Sequence, residues 1–237
     1  MNTDRHPRSR GWLDQGTAVI LDKVARFDDD AFDQASGLPG WSRRHLVAHL
    51  AANAEALHRL TRWAATGEPT PMYSSTEQRE NDIEQGARLL PPLIRDWLHD
   101  AVTLLDAGMD ALSPAMWGNP VSTAQGRTVA ATEIPWMRTR EVWIHAVDLN
   151  VGVGFEDFPA DLVTELLADV TAVRSTRGKG REVELRSADG GSWHIAGAGP
   201  MVIVSGDPAD LARWVTGRGV RGLASGDSAF PELGPWL

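Results

Sequence analysis

The feature that most constrains this chain is a change of hydrophobic period near residue 152. Before it, apolar residues recur at three- and four-residue intervals in long stretches, the spacing of one buried helix face. Residues 12–32 carry such a pattern. Ser42 suits the N-cap of a helix running to Ala65, where Thr66 and Gly67 stop it. Residues 68–75 read as a loop with three turn formers and Tyr73, and a shorter polar helix spans residues 76–90. Pro91 and Pro92 open a helix through Leu112, since proline suits a first turn. Residues 119–127 form a loop or short extended piece with Pro120 and Gly126. A further helix covers residues 130–150, and Gly152 and Gly154 end it. Four long helices joined by unequal connections predict a bundle.

Beyond this point the elements shorten. Residues 159–176 are helical, and residues 183–186, 193–195 and 201–204 are short strand candidates divided by glycine-rich turns. Asp207 and Pro208 then pair an N-cap with a first-turn proline, opening a helix to Val215. The expected fold is mainly α: a helical bundle over residues 1–152, followed by a smaller α+β domain over residues 153–237. A chain of 237 residues is long enough for both to bury their own cores.

Composition narrows the function classes. The net charge is −9, and no basic face stands out as a nucleic-acid footprint. The one basic cluster, Arg174, Arg177, Lys179, Arg181 and Arg186, reads as a solvated helix end and loop. No apolar run approaches the roughly 18 residues of a membrane span. The polar N-terminus shows no signal-peptide core, so a cytoplasmic location is expected. The chain has no cysteine, so any thiol chemistry must use a thiol brought from outside. Ten tryptophans against one tyrosine suggest indoles lining a pocket or a domain seam.

Glu141 and His145 lie four apart on a predicted helix and project from one face. That stripe reads Ile134, Met137, Arg138, Glu141, Ile144, His145, Asp148. It starts apolar and turns into charge, which is costly to bury unless paired or coordinated. Metal coordination would satisfy Glu141 and His145 together, with Asp148 supporting the histidine ring from behind. The bland alternative is a surface salt-bridge stripe of Arg138 and Glu141.

A third donor must come from another helix, and His45 and His49 both offer one. The apolar set Leu46, Val47, Leu50, Ala54, Leu57 and Leu60 defines the core direction of their helix. At about 100° per residue, His49 lies roughly 90° from that direction and His45 roughly 130°. His49 therefore flanks the core, while His45 turns towards solvent and remains the second choice. Asn53, one turn beyond His49, is expected to line the site. Two histidines and one carboxylate leave an open position, an arrangement that suits catalytic zinc and also non-haem iron.

Residues 40–54 (GWSRRHLVAHLAANA) resemble the metal-binding helix of DinB-like, mycothiol-dependent enzymes. Residues 123–129 (TAQGRTV) and 136–149 (WMRTREVWIHAVDL) look more specifically like the mycothiol-dependent maleylpyruvate isomerase family. Pro71, Met72 and Tyr73, and Gly217, Arg218 and Gly219, add to the likeness, which runs over nearly the whole chain. One departure is Ala130, where proline is expected. The resemblance implies a DinB-like four-helix bundle, zinc held by His49, Glu141 and His145, and mycothiol as the thiol cofactor. It also implies a functional arginine at Arg218, and isomerisation of maleylpyruvate to fumarylpyruvate in gentisate breakdown.

Such a reaction needs the conjugated double bond to become single for a moment, which reversible thiolate addition achieves. A metal would lower the thiol's pKa at the open position. The substrate is a small dicarboxylate, so cations must meet it: Arg218 first, then Arg138 and Arg127, because guanidinium binds carboxylate bidentately. Arg218 could instead be an ordinary cation at a helix C-terminus. Two other functions fit the same ligands: a mycothiol S-transferase, and a non-catalytic metal-dependent binding protein whose fourth ligand is Asp148 or Asn53.

Overall fold

The computed structural model describes residues 5–178, 180–226 and 229–234. It divides into two compact units, residues 1–152 and 153–237. The first contains α1 (Arg5–Ala25), α2 (Arg43–Thr66), α3 (Thr76–Gly86), α4 (Pro91–Asp110) and α5 (Ile134–Asp148). A short antiparallel hairpin, β1 (Pro120–Ser122) with β2 (Thr128–Ala130), precedes α5. The long helices pair as α2 with α4 and α1 with α5, and α2 also touches α3 and α5.

Sequence dictates the helix ends. At the start of α2 the Ser42 N–H donates to His45 Nδ1 at 3.3 Å, and the Ser42 hydroxyl lies 2.7 Å from the same nitrogen, a capping box that includes histidine. At its far end Gly67, with φ +75°, takes the left-handed turn and returns its N–H to the Trp63 carbonyl. Leu46, Leu50, Leu57 and Leu60 of α2 are fully buried, as are Ile94 and Leu98 of α4 to within a percent. Trp12 and Trp136 pack edge to face at 6.1 Å, and the Trp143 indole N–H donates to the Trp12 carbonyl at 2.8 Å. Gly16 permits this α1–α5 approach, since a Cβ there would meet Trp143 and Val142 at 2.6 Å.

Several expected boundaries move, and the first helix already begins at Arg5 rather than Trp12. The first helix stops at Ala25 rather than Phe32, because the Asp28 carboxylate takes the Ala31 N–H at 2.8 Å and turns the chain into a 3-10 segment. Phe32 is still fully buried there. The third helix ends at Gly86, and Leu90, preceding proline, is extended at ψ 148°. The fifth begins at Ile134, because the segment before it is committed to the hairpin through Pro120↔Ala130.

The second unit is α+β. It holds α6 (Ala160–Arg177), β3 (Arg181–Ser187), β4 (Ser192–Ile195), β5 (Ala198–Gly206), α7 (Pro208–Val215) and β6 (Ala224–Ser225). The sheet order is β4-β3-β5-β6, with β3 and β5 parallel and the outer pairs antiparallel. Alternate residues Val183, Leu185, Val202 and Val204 are buried, as are Leu166, Val170 and Leu211 of the two helices. The basic cluster departs from its expected solvated state at Arg174, which is 5% exposed and donates to backbone carbonyls of Val215, Leu233 and Gly234. Arg186 pairs with Glu184 on the surface at 2.9 Å, and Lys179 lies outside the described residues. Among the described residues, no helix is long and apolar enough to cross a membrane.

Candidate metal centre

His49 reaches the site from the middle of α2, and Glu141 and His145 from adjacent turns of α5. Glu141 Oε2 lies 2.9 Å from His49 Nε2 and 3.3 Å from His145 Nε2. The two imidazoles stand perpendicular, 4.9 Å apart. One donor atom from each residue falls within a sphere of mutual separations under 4.8 Å. A four-coordinate ion with bonds of about 2.0–2.2 Å holds neighbouring donors roughly 3.4 Å apart, so these three fit a metal with little movement. All three lie on the two-histidine, one-carboxylate set expected from the spacing.

The electrostatics suit the same ion. Burial alone would raise the Glu141 carboxyl. Hydrogen bonds from His145 and His49, and their charge, outweigh it and hold Glu141 well below the usual range. Burial pushes the His49 ring down, despite Glu141, which favours its neutral, ligating form. Burial pulls His145 down too, but hydrogen bonds to Asp148 and Glu141 prevail and raise it. Asp148 Oδ2 lies 2.9 Å from His145 Nδ1, so that nitrogen would keep its proton if Nε2 gave its lone pair to a metal.

The alternatives resolve on geometry. His45 Nδ1 is engaged by Ser42 in the helix cap, and its Nε2 stands 3.8 Å from Glu84. Asp148 sits behind the His145 ring, and Asn53 Oδ1 accepts from Arg138 at 2.8 Å, so both are turned to other partners in this structure. The surface salt-bridge reading fails because Arg138 is 1% exposed and bonds to the Leu50 carbonyl and Asn53. For the same reason Arg138 is not presented to a substrate carboxylate. Arg127 lies exposed at the turn between β1 and β2.

Three further neighbours stand beside the donors. Arg79 of α3 points a guanidinium nitrogen at His49 Nδ1, 3.4 Å away, and stacks over the Tyr73 ring at 5.9 Å. Tyr73 is within electrostatic reach of Glu141, and burial pushes its phenol up. Its loop is pinned by Arg59 Nε on the Met72 carbonyl at 2.9 Å. The Trp41 indole lies 5.7 Å from the His49 ring, which places one of the ten tryptophans against the site. Nothing in the polar pattern of α3 marks Arg79; its role comes only from how α3 packs on α2.

Comparison with known proteins places the chain in a family. The Mycothiol maleylpyruvate isomerase N-terminal domain family matches residues 13–150, and the MDMPI C-terminal domain family matches residues 157–230. The chain belongs to the mycothiol-dependent maleylpyruvate isomerase family. Two crystal structures, of the mycothiol-dependent maleylpyruvate isomerase and of a histidine-to-alanine mutant of it, each align with TM-score 0.93 and 38% identity. Each alignment covers 98% of this chain and 97% of the other. A search of curated protein sequences returned no match. The fold is that of the family: a helical bundle bearing the three donors, and a smaller α+β part.

Arg218, the functional arginine that the family resemblance implies, lies in the second unit, just past α7. Gly217 and Gly219 flank it with φ +81° and +94°, so the chain turns sharply on both sides. The Arg218 N–H donates to the Arg213 carbonyl at 2.9 Å, and its Nη1 donates to the Thr216 carbonyl at 2.6 Å. In this structure the guanidinium thus also serves the helix C-terminus.

Proposed function

We propose that this protein isomerises maleylpyruvate to fumarylpyruvate, using mycothiol as thiol cofactor and zinc held by His49, Glu141 and His145. The observation that carries this reading is a match to the isomerase structure along 98% of the chain at 38% identity. The three donors leave a coordination position that no described His, Asp or Glu fills. When bound, metal and thiol together supply a thiolate whose reversible addition turns the conjugated double bond into a rotatable single bond.

The chain's own groups do the rest. Glu141, kept ionised, balances the cation, and Asp148 holds the His145 ring with its lone pair forward. Arg79 and Tyr73 offer a cation and a phenol beside the centre, suited to one carboxylate of a dicarboxylate substrate. For Arg218, which sits between two glycines of the second unit, the family resemblance implies a functional role. Trp41 stands with its ring 5.7 Å from that of His49, an apolar wall on one side of the centre.

The direct test measures maleylpyruvate loss by purified protein with and without mycothiol, alongside metal analysis. Isomer formation that requires mycothiol without consuming it, with about one zinc per chain, supports the reading. Stoichiometric thiol loss into an S-conjugate would instead make the protein a transferase. Full activity in a metal-free, folded protein would refute the centre.

A further inference from the structure

The three donors sit on helices that belong to different pairs. α2 packs chiefly along α4, and α5 chiefly along α1. α2 and α5 also touch each other directly, with His49 facing Glu141 and His145 across that contact. Two arginines cross the contact in opposite directions. From α5, one turn before Glu141, Arg138 Nη1 donates to the Leu50 carbonyl and to Asn53 Oδ1, both at 2.8 Å. Those acceptors are the residue after His49 and the residue one turn beyond it. From α2, Arg43 Nε donates to the Leu149 carbonyl and its Nη2 to the Asn150 carbonyl, both at 2.8 Å. These are carbonyls just past α5, where a cation is also favoured by the helix dipole. His49 lies between Arg43 and Asn53 on one helix, and Glu141 and His145 lie between Arg138 and Leu149 on the other.

We infer that Arg43 and Arg138 are a reciprocal pair of positioning residues that brackets the metal centre and sets the distance between its two ligand-bearing helices. The inference rests on reading His49, Glu141 and His145 as a metal site. Arg138 is a poor device for stability alone. It is 1% exposed, its Nη2 is buried with no hydrogen-bond partner among the described residues, and no carboxylate pairs with it there. Burial brings its pKa down to about 10, so it stays charged at neutral pH. A well-packed apolar side chain is often at least as stable in such a place. A buried cation beside Glu141 also opposes metal binding by charge. Its retention there is explained by what it holds in place.

Those opposing effects give the test a definite sign. Zinc affinity is measured by chelator competition, and folding by melting of the metal-free protein, in the full chain. Arg138→Met removes a positive charge, which by itself tightens a cation; loss of positioning weakens it. Binding at least 10-fold weaker, with the metal-free protein melting no lower, is the expected result. Asn53→Ala, which removes one of the two acceptors, gives a smaller loss of about threefold, and Arg43→Met a loss between the two. Arg95→Met is the control: Arg95 ties α4 to the Phe27 carbonyl at 2.6 Å, away from the ligands, and its loss lowers melting without changing zinc affinity. Native affinity within twofold in both Arg138→Met and Arg43→Met overturns the inference, as does an equal loss in Arg95→Met. If Arg138→Met does not fold, Arg43→Met and Asn53→Ala decide it. Native protein that binds no zinc refutes the metal centre itself, a separate outcome.

Discussion

Among the described residues, each unit buries one arginine, and the two are satisfied differently. Arg174 of the α+β unit gives Nε to Val215 at 2.9 Å, Nη1 to Leu233 and Nη2 to Gly234 at 3.2 Å, all backbone carbonyls. Both its terminal nitrogens and Nε are engaged. Arg138 of the helical unit uses Nη1 twice and leaves Nη2 buried without a partner among the described residues. Complete satisfaction is what a stabilising buried polar group needs, and incomplete satisfaction marks a group kept for another reason. Arg138 is therefore the one of the two that fits a role in positioning the donors, and Arg174 ties down the end of α7 and the chain near residue 234.

That contrast can be broken from either side. The largest effect is expected for Glu141→Gln, which removes a ligand charge: zinc affinity falls by more than the roughly 100-fold that an outer partner costs. Equilibrium dialysis of zinc with the variant checks it, and activity should disappear in parallel. Arg218→Ala tests whether the α+β unit is purely structural. On the family resemblance it should lose about 100-fold in kcat/KM, the usual cost of a lost charge-stabilising donor, with zinc content retained. Full activity in this variant would reduce Arg218 to the helix cap it makes through Thr216, and leave the contrast intact.

Arg174→Met should show the opposite signature. Three carbonyls lose a charged donor, so the protein is destabilised by about 3 kcal/mol in urea unfolding while zinc affinity is unchanged. Asp148→Asn keeps the shape behind His145 but removes the charge, and zinc affinity should fall by about 10-fold in chelator titration. The smallest change is His45→Ala, which breaks the α2 cap: about 1 kcal/mol of stability is lost, with zinc binding unaltered. A zinc defect in this last variant would revive His45 as a ligand.

The sequence was most legible where one element carries the whole signal. Glu141 and His145 share a helix, so their spacing alone places them together. The preference for His49 over His45 also lies within one helix, and the structure shows its cause: His49 is 4% exposed, while His45 turns back to cap its own N-terminus. The bundle followed by an α+β part was readable from the change of period. The two-residue strand β6 and the hairpin before α5 were not, since strands of two or three residues hold too little alternation to register. Arg79 and Arg43 escaped for another reason. Each acts across a helix-helix contact, and no spacing within α3 or α2 encodes what packs against them. Arg174 looked like surface charge because a run of basic residues hides which one turns inward.

The donors of the centre are far apart in the chain, His49 and Glu141 being separated by 92 residues. During synthesis the first histidine therefore emerges long before its partners, and a chain halted ahead of α5 has only one of the three ligands. If these residues hold a metal, a product halted before α5 cannot bind it as the completed helical unit would. Loading would then be tied to closure of the bundle, and a bound ion would report that the helical unit has been made to its last helix.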